Sequence, residues 1–132
     1  VVLITRFGSA NVRSKLPALI RAVRSTGSPA VWSCDPMHGN TRLTDAGVKT
    51  RSFDDVLSEL ASTFAIHREH ESRLSGVHFE LTGENVTECT GGAVEIADED
   101  LGRDYRSYCD PRLNYTQSME MSFLISDYVR IS

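Results

Sequence analysis

The chain has 132 residues, 40% of them hydrophobic and 24% charged, which is enough for one modest core but not for two domains. A net charge of -4, with 14 scattered Lys and Arg residues, argues against binding to nucleic acid or to an anionic membrane. The longest apolar stretches are far shorter than the roughly 20 residues that span a bilayer, so we expect no membrane association.

Three widely spaced cysteines, Cys34, Cys89 and Cys109, form no CxxC pair. An odd number of isolated cysteines is typical of reduced thiols, and we therefore expect a cytoplasmic protein. The chain opens with Val1-Val2-Leu3-Ile4-Thr5 and without an initiator Met. This opening indicates a piece cut from a longer polypeptide.

The first predicted unit is a strand followed by a helix. Residues 1–7 are a continuous apolar and β-branched run that ends at Arg6-Phe7-Gly8, a pattern typical of a strand covered on both faces in a parallel sheet. A helix follows from Leu16, with Pro17 in its first turn and Gly27 as its stop. Its apolar positions recur at helical spacing: Leu16, Leu19, Ile20 and Val23.

The second unit repeats this order. Residues 30–34 predict a strand, residues 35–40 a loop after it, and a polar segment then runs to Ser52. Ser52 and Asp55 have the spacing of a capping box at the start of a second helix. The buried stripe of that helix is predicted to be Phe53, Val56, Leu57, Leu60 and Phe64.

The third strand is predicted over residues 76–82. Side chains alternate along a strand, so the apolar residues Val77, Phe79 and Leu81 would share one face and His78, Glu80 and Thr82 the other. Three successive strand and helix units favour a parallel sheet covered by helices, so the polar face would line an interior pocket.

The remaining chain predicts a long loop and a last helix. Residues 83–113 are rich in loop signals, with a short helix near residues 98–105, and Asn114 with Gln117 marks the start of the last helix. Its apolar positions are Met121, Leu124, Ile125 and Tyr128. Three such units form about three-eighths of a (β/α)₈ TIM barrel. Residues 1–132 are thus predicted to be a single partial domain of the α/β class, incomplete on its own.

Candidate chemical groups lie at the predicted strand ends, where barrel enzymes carry their active sites. These positions are Arg6, Asp35, His38, His78 and Glu80, together with Asp110 in the long loop. One imidazole and two carboxylates suit a divalent transition metal, although their spacing alone does not prove a metal site.

Each candidate also has a purely structural interpretation. Arg6 is equally explained by pairing with a carboxylate, His38 by backbone hydrogen bonding in a turn, and Glu80 by a buried ion pair. His67 and His70 are predicted to lie on a solvated, charged face of the second helix.

Three segments resemble class II (plant-type) 3-deoxy-D-arabino-heptulosonate 7-phosphate (DAHP) synthases, in the order found in that family. They are Trp32-Ser33-Cys34-Asp35-Pro36-Met37-His38-Gly39-Asn40, Gly83-Glu84-Asn85-Val86-Thr87-Glu88-Cys89 and Cys109-Asp110-Pro111-Arg112-Leu113-Asn114. Lys49-Thr50-Arg51 and Gly91-Gly92-Ala93 also fit. The resemblance implies the C-terminal part of a TIM-barrel enzyme that condenses phosphoenolpyruvate with erythrose 4-phosphate and releases phosphate.

The resemblance also implies roles for individual residues. The metal ligands of the family fall on His38, Glu80 and Asp110, and its phosphoenolpyruvate-binding arginine falls on Arg6, so that Arg6 and His38 are the implied catalytic residues. The implied cofactor is a divalent metal ion, Mn²⁺ first, with Co²⁺, Fe²⁺ or Zn²⁺ as alternatives.

Parts of the family's site are missing from this chain. The metal-binding cysteine, the other phosphoenolpyruvate residues and the erythrose 4-phosphate segment belong to earlier strands. We therefore expect the chain to be inactive alone, to need an N-terminal barrel segment or another chain, and to form a homo-oligomer. Two alternatives stay open: a phenazine-type paralogue in secondary metabolism, and a non-catalytic truncated homologue that binds a partner synthase.

Overall fold

A parallel three-stranded sheet, in the order β1-β2-β5, is the centre of the fold. The computed structural model describes residues 1–131. The strands of this sheet are β1 (Val2–Thr5), β2 (Val31–Cys34) and β5 (Leu74–Val77). The predicted mixed α/β class with a parallel sheet is confirmed, and closure into a barrel stays a prediction.

The first helix, α1 (Val12–Ser25), is one turn longer than predicted at its N-terminus. Pro17 is consequently the sixth helical residue, and the prediction that it lies in the first turn was wrong. The predicted stop is confirmed, because Gly27 directly follows the C-cap with a φ of +66° that favours glycine.

None of the helices within residues 1–131 combines the length and the apolar character needed to cross a membrane.

The other two helices start at their predicted caps. The helix α2 (Phe53–Glu69) begins after Ser52, whose side chain accepts a hydrogen bond from the Asp55 N–H at 3.4 Å. The helix α3 (Tyr115–Arg130) begins after Asn114, which exchanges hydrogen bonds with Gln117 in both directions, at 2.8 and 3.1 Å. Local polar side chains therefore fix where both helices begin.

The segment between β2 and α2 contains a small antiparallel hairpin that the sequence did not predict. Its strands are β3 (Thr41–Leu43) and β4 (Lys49–Arg51), with Thr41 opposite Arg51. Strands of three residues are too short to show the alternation on which a strand prediction depends. A short 3₁₀ helix, His38–Asn40, leads into this hairpin.

The third parallel strand is displaced from its prediction. β5 ends at Val77, whereas the predicted strand covered residues 76–82. His78, Glu80 and Thr82 therefore lie beyond the strand. The chain continues in extended form but changes partner: the Thr82 N–H donates to the Leu113 carbonyl at 2.9 Å, and the Leu113 N–H donates to the Glu80 carbonyl at 3.0 Å. The predicted apolar face also fails at Leu81, which is 53% exposed.

The core lies on the helix-covered side of the sheet. One cluster joins β2 to α2 and α3 around Cys34, Phe53 and Leu60, and a second joins α1 to Trp32 and Ile66. Within residues 1–131, β1 is covered on one face only, since Val2 and Ile4 are 61% and 53% exposed, and the predicted cover on both faces stays a prediction. Their side chains lie on a sheet face that no element of residues 1–131 covers.

Glu88 organises the long segment that precedes α3. Its buried carboxylate accepts hydrogen bonds from the N–H groups of Arg106 and Ser107 at 3.1 and 2.9 Å, and from the N–H of Arg112 at 2.8 Å. Burial raises the pKa of Glu88, but the hydrogen bonds from Arg112 and the backbone outweigh burial and hold the pKa below its usual value. The loop that carries Asp110 is therefore held by hydrogen bonds to Glu88 on both sides of Asp110.

A 3₁₀ helix, Asp98–Arg103, occupies the predicted helical position in this segment.

His67 is buried, so its predicted place on a solvated face was wrong. Its Nδ1 lies 2.9 Å from the Ser72 hydroxyl, and its ring meets the edge of Trp32 with centroids 5.3 Å apart. The charged neighbours Arg68 and Glu69 occupy the exposed side of the same turn. Burial lowers the pKa of His67 to about 4.

We expect His67 to make the protein less stable in mild acid. Because the pKa is near 4 in the folded protein and 6.5 ordinarily, the unfolded chain binds the proton first, and stability is lost as the pH falls from 6.5 towards 4. Thermal unfolding measured between about pH 7 and pH 5 should show a smaller decrease for His67→Phe than for the wild type. Parallel curves would contradict this expectation.

Removal of Glu88 should be far more damaging than removal of its exposed neighbour Glu84. Glu88→Ala leaves three partly buried backbone N–H groups and the Arg112 guanidinium without their acceptor and should lower the free energy of unfolding by roughly 2–5 kcal/mol. Glu84 forms an ion pair with Arg106 at the surface, so Glu84→Ala should change stability little. Urea denaturation of both variants measures the difference, and equal losses would refute the assigned role of Glu88.

Candidate metal centre

The candidate residues meet at one edge of the parallel sheet. Arg6 follows β1, His38 follows β2 and Glu80 follows β5, and the ends of parallel strands lie side by side. Asp110 reaches the same edge from the long segment that Glu88 anchors. The structure therefore brings the four predicted site residues into one region.

Three of these side chains form a compact cluster. His38, Glu80 and Asp110 each offer one ligand atom, and these atoms lie within 4.8 Å of one another. His38 Nε2 is 3.5 Å from Glu80 Oε1 and 3.7 Å from Asp110 Oδ2, and the three side chains are 25–32% exposed. One imidazole nitrogen and two carboxylate oxygens, accessible from one side, could hold a divalent transition metal.

The buried carboxylate of Asp35 orients the His38 ring. Asp35 Oδ2 lies 2.7 Å from His38 Nδ1, while Oδ1 accepts the N–H groups of Met37 and His38 at 3.0 and 3.2 Å. A carboxylate only accepts, so Nδ1 carries a proton, and in a neutral imidazole the lone pair is then on Nε2, the atom that faces Glu80 and Asp110. Histidines that bind metals are commonly held in this way.

Arg6 is connected to the same carboxylate. Its Nε lies 3.2 Å from Asp35 Oδ2, and its side chain is 54% exposed. Within residues 1–131, the two terminal nitrogens of this guanidinium form no hydrogen bond, so they are available to an anion. Asp35 therefore contacts both the candidate anion-binding group and the candidate metal ligand.

A buried guanidinium lies behind the cluster. Arg51 is 0% exposed; Nη1 bonds to Glu80 Oε2 and, at 2.7 Å, to the Pro111 carbonyl, and Nε bonds to the Thr41 hydroxyl at 2.9 Å. Nη2 has no hydrogen-bond partner in the described chain and lies 4.0 Å from Asp110 Oδ2. Arg51 supplies the positive charge that two adjacent carboxylates require.

Hydrogen bonds from the basic residues engage only one oxygen of each carboxylate, since the 4.0 Å contact of Arg51 Nη2 with Asp110 Oδ2 is too long for a hydrogen bond. Arg51 contacts Glu80 Oε2, and the Lys49 ammonium contacts Asp110 Oδ1. The hydrogen bond from Lys49 is the main reason that the pKa of Asp110 lies below its usual range. The other oxygens, Glu80 Oε1 and Asp110 Oδ2, point to His38. The arrangement thus leaves one oxygen of each carboxylate, without a hydrogen bond from a basic residue, for a cation.

Lys49 and Arg51 were not predicted as site residues from the residues themselves. The missed signal is their spacing, because residues two apart on a strand point to the same side. The structural interpretations of Arg6 and Glu80 also hold, since they pair with Asp35 and Arg51. Each ion pair leaves part of its partner free, so pairing and ligand binding are compatible.

None of the three cysteines joins the described cluster. Cys34 and Cys89 are buried, and burial raises the pKa of each thiol to about 12, which keeps both protonated near neutral pH. Cys109 is exposed beside Asp110, with its Sγ 3.8 Å from the Ser107 hydroxyl. A cysteine ligand would have to come from outside residues 1–131.

Comparison with known proteins places this chain in a family. A model of the Class-II DAHP synthetase family matches residues 1–126. The chain is 52% identical over 132 residues to the phospho-2-dehydro-3-deoxyheptonate aldolase of Neurospora crassa, covering 98% of this chain and 27% of that protein. It is 47% identical over 130 residues to the phospho-2-dehydro-3-deoxyheptonate aldolase AroG of Mycolicibacterium smegmatis, covering 98% of this chain and 28% of that protein. The chain spans about a quarter of the length of these relatives, and it belongs to the class II DAHP synthetase family.

Proposed function

We propose that this chain is the C-terminal part of the (β/α)₈ barrel of a DAHP synthase. The enzyme would condense phosphoenolpyruvate with erythrose 4-phosphate, release phosphate and so begin aromatic biosynthesis by the shikimate pathway. Support comes from the family match and from the names of the two relatives. The observation that carries the proposal is the meeting of His38, Glu80 and Asp110 at the carboxyl edge of a parallel sheet.

The residues present fit a divalent metal such as Mn²⁺, Co²⁺, Fe²⁺ or Zn²⁺. His38 Nε2, Glu80 Oε1 and Asp110 Oδ2 would hold it, because their other polar atoms are already engaged by Asp35, Arg51 and Lys49. Such an ion, when bound, would act as a Lewis acid on the aldehyde oxygen of erythrose 4-phosphate. A mixed nitrogen and oxygen donor set does not choose among these four metals.

Arg6 would bind the anionic part of phosphoenolpyruvate. Its terminal nitrogens form no hydrogen bond in the described chain, and its Nε is paired with Asp35, which also orients His38. The shared carboxylate therefore sets the position of the bound anion relative to the metal ligands. Holding two reactants in a fixed geometry is a large part of catalysis for a condensation reaction.

The remaining barrel would come from an N-terminal segment or from another chain. The exposed residues Val2 and Ile4 form part of an apolar sheet face that further elements would bury. β1 and β5 each have one unpaired edge within the described sheet, which is where additional strands would pair. We propose that the complete enzyme is a cytoplasmic homo-oligomer and that this chain alone is inactive.

A chimera tests the proposed function. The N-terminal part of the Neurospora crassa relative, up to the start of the match, is fused to this chain, and phosphate release is measured with both substrates and Mn²⁺. We expect turnover from the chimera and none from the chain alone. Glu80→Gln and Asp110→Asn should each lower turnover and Mn²⁺ affinity by at least about 100-fold, more than the loss typical of groups that only orient a ligand.

Glu69→Gln is the matched control, since Glu69 is an exposed carboxylate on α2 away from the cluster. It should leave turnover and Mn²⁺ affinity unchanged. Full activity in the Glu80→Gln and Asp110→Asn chimeras would overturn the ligand assignment. A folded chimera that binds no Mn²⁺ and has no activity would favour the non-catalytic homologue.

A further inference from the structure

Glu59, on α2, is a fully buried carboxylate outside the metal cluster. Its Oε1 accepts the N–H groups of Phe7 and Gly8 at 2.9 and 3.0 Å, and its Oε2 accepts the Asn40 amide at 2.8 Å. No cation pairs with it in the described chain, and burial raises its pKa. A buried carboxylate that lacks a cation is costly, and an apolar residue of similar size would avoid that cost.

The three donors share a location beside the candidate site. Phe7 and Gly8 directly follow Arg6, the candidate anion-binding residue, and Asn40 lies two residues after His38. One carboxylate therefore spans the loops that carry two site residues from two different strands.

The backbones of the same two loops are also in close contact at Gly8 and Gly39. Gly8 has a φ of +80°, and a Cβ added there would lie 2.6 Å from the Gly39 carbonyl oxygen. A Cβ on Gly39 would overlap the backbone nitrogen of Gly8. Asn40 completes the junction: its Oδ1 accepts the Ser9 N–H at 2.9 Å, and its Nδ2 also donates to the Pro36 carbonyl at 2.8 Å.

We propose that Glu59 is a positioning residue that, through Asn40 and the backbone N–H groups of Phe7 and Gly8, sets the distance between Arg6 and His38. The inference rests on the proposed function, in which Arg6 binds the substrate anion and His38 holds the metal. Glu59 touches neither group. It acts on the backbone from which both side chains project, and a small displacement of one loop would separate the anion from the metal.

Glu59→Gln tests the inference in the complete natural protein that contains this chain. The substitution keeps the shape but introduces an NH₂ group opposite either the Asn40 amide or the two backbone donors, so the loops should move apart. We expect the KM for phosphoenolpyruvate to rise about tenfold and Mn²⁺ affinity to fall about tenfold, the range seen when groups that orient ligands are lost. Glu69→Gln, on the exposed side of the same helix, should change neither.

Rescue distinguishes positioning from general destabilisation. In the double variant Glu59→Gln with Asn40→Asp, the amide of residue 59 donates to the carboxylate of residue 40, so this hydrogen bond is restored with its direction reversed, while the bond from residue 40 to the Pro36 carbonyl is lost. We expect the double variant to recover part of the lost KM and Mn²⁺ affinity relative to Glu59→Gln, which appears as coupling in a double-mutant cycle. If Glu59→Gln does not fold, Asn40→Ser is measured, and it should shift both quantities in the same direction.

The outcomes separate this inference from the proposed function. Wild-type activity with an unchanged KM and Mn²⁺ affinity in Glu59→Gln, or in Asn40→Ser if that variant is needed, overturns the role of Glu59 alone. So does a loss that follows only the unfolding midpoint and shows no rescue. An inactive wild type overturns the proposed function. The role of Glu59 is then decided by Mn²⁺ affinity alone, which should fall in Glu59→Gln and partly recover in the double variant. A wild type that binds no Mn²⁺ overturns both.

Discussion

The ion pair between Arg51 and Glu80, inside the protein, is the interaction on which the candidate site depends. Glu80 and Asp110 offer ligand atoms to the same small space, and two carboxylates so close together repel each other when both are ionised. Arg51 offsets that repulsion from a position without solvent exposure, where a guanidinium itself needs an anionic partner. The cations and the carboxylates therefore stabilise one another, and removing any one of them leaves a charge without compensation. Both Lys49 and Arg51 lie on β4 of the small hairpin, which packs beside the two carboxylates.

Buried carboxylates perform the corresponding task for the loops. Asp35 orients His38 and holds Arg6, Glu59 joins the loops that follow β1 and β2, and Glu88 anchors the segment around Asp110. Each of them accepts backbone N–H groups that loops cannot satisfy by regular secondary structure. The loops at this edge are consequently rigid where the chemistry needs fixed distances, although they contain few regular hydrogen bonds of their own.

The sequence predicted what local patterns control and missed what depends on distant partners. The helix starts at Ser52 and Asn114 were predictable because the capping side chains lie next to the helices they cap. The meeting of His38, Glu80 and Asp110 followed from strand ends and from motif resemblance. The end of β5 was not predictable, because alternation continues past Val77 while the pairing partner changes to Leu113. Burial of His67 was hidden by its charged neighbours, and Arg51 by a strand of three residues.

The most direct measurement is the position of a bound ion in the complete protein. Crystals grown with Mn²⁺ should show an anomalous diffraction peak within about 2.3 Å of His38 Nε2 and of one oxygen each of Glu80 and Asp110, a distance typical of such ligands. Arg51 should remain on the second oxygen of Glu80. An ordered Mn²⁺ ion that contacts none of these three residues would contradict the account.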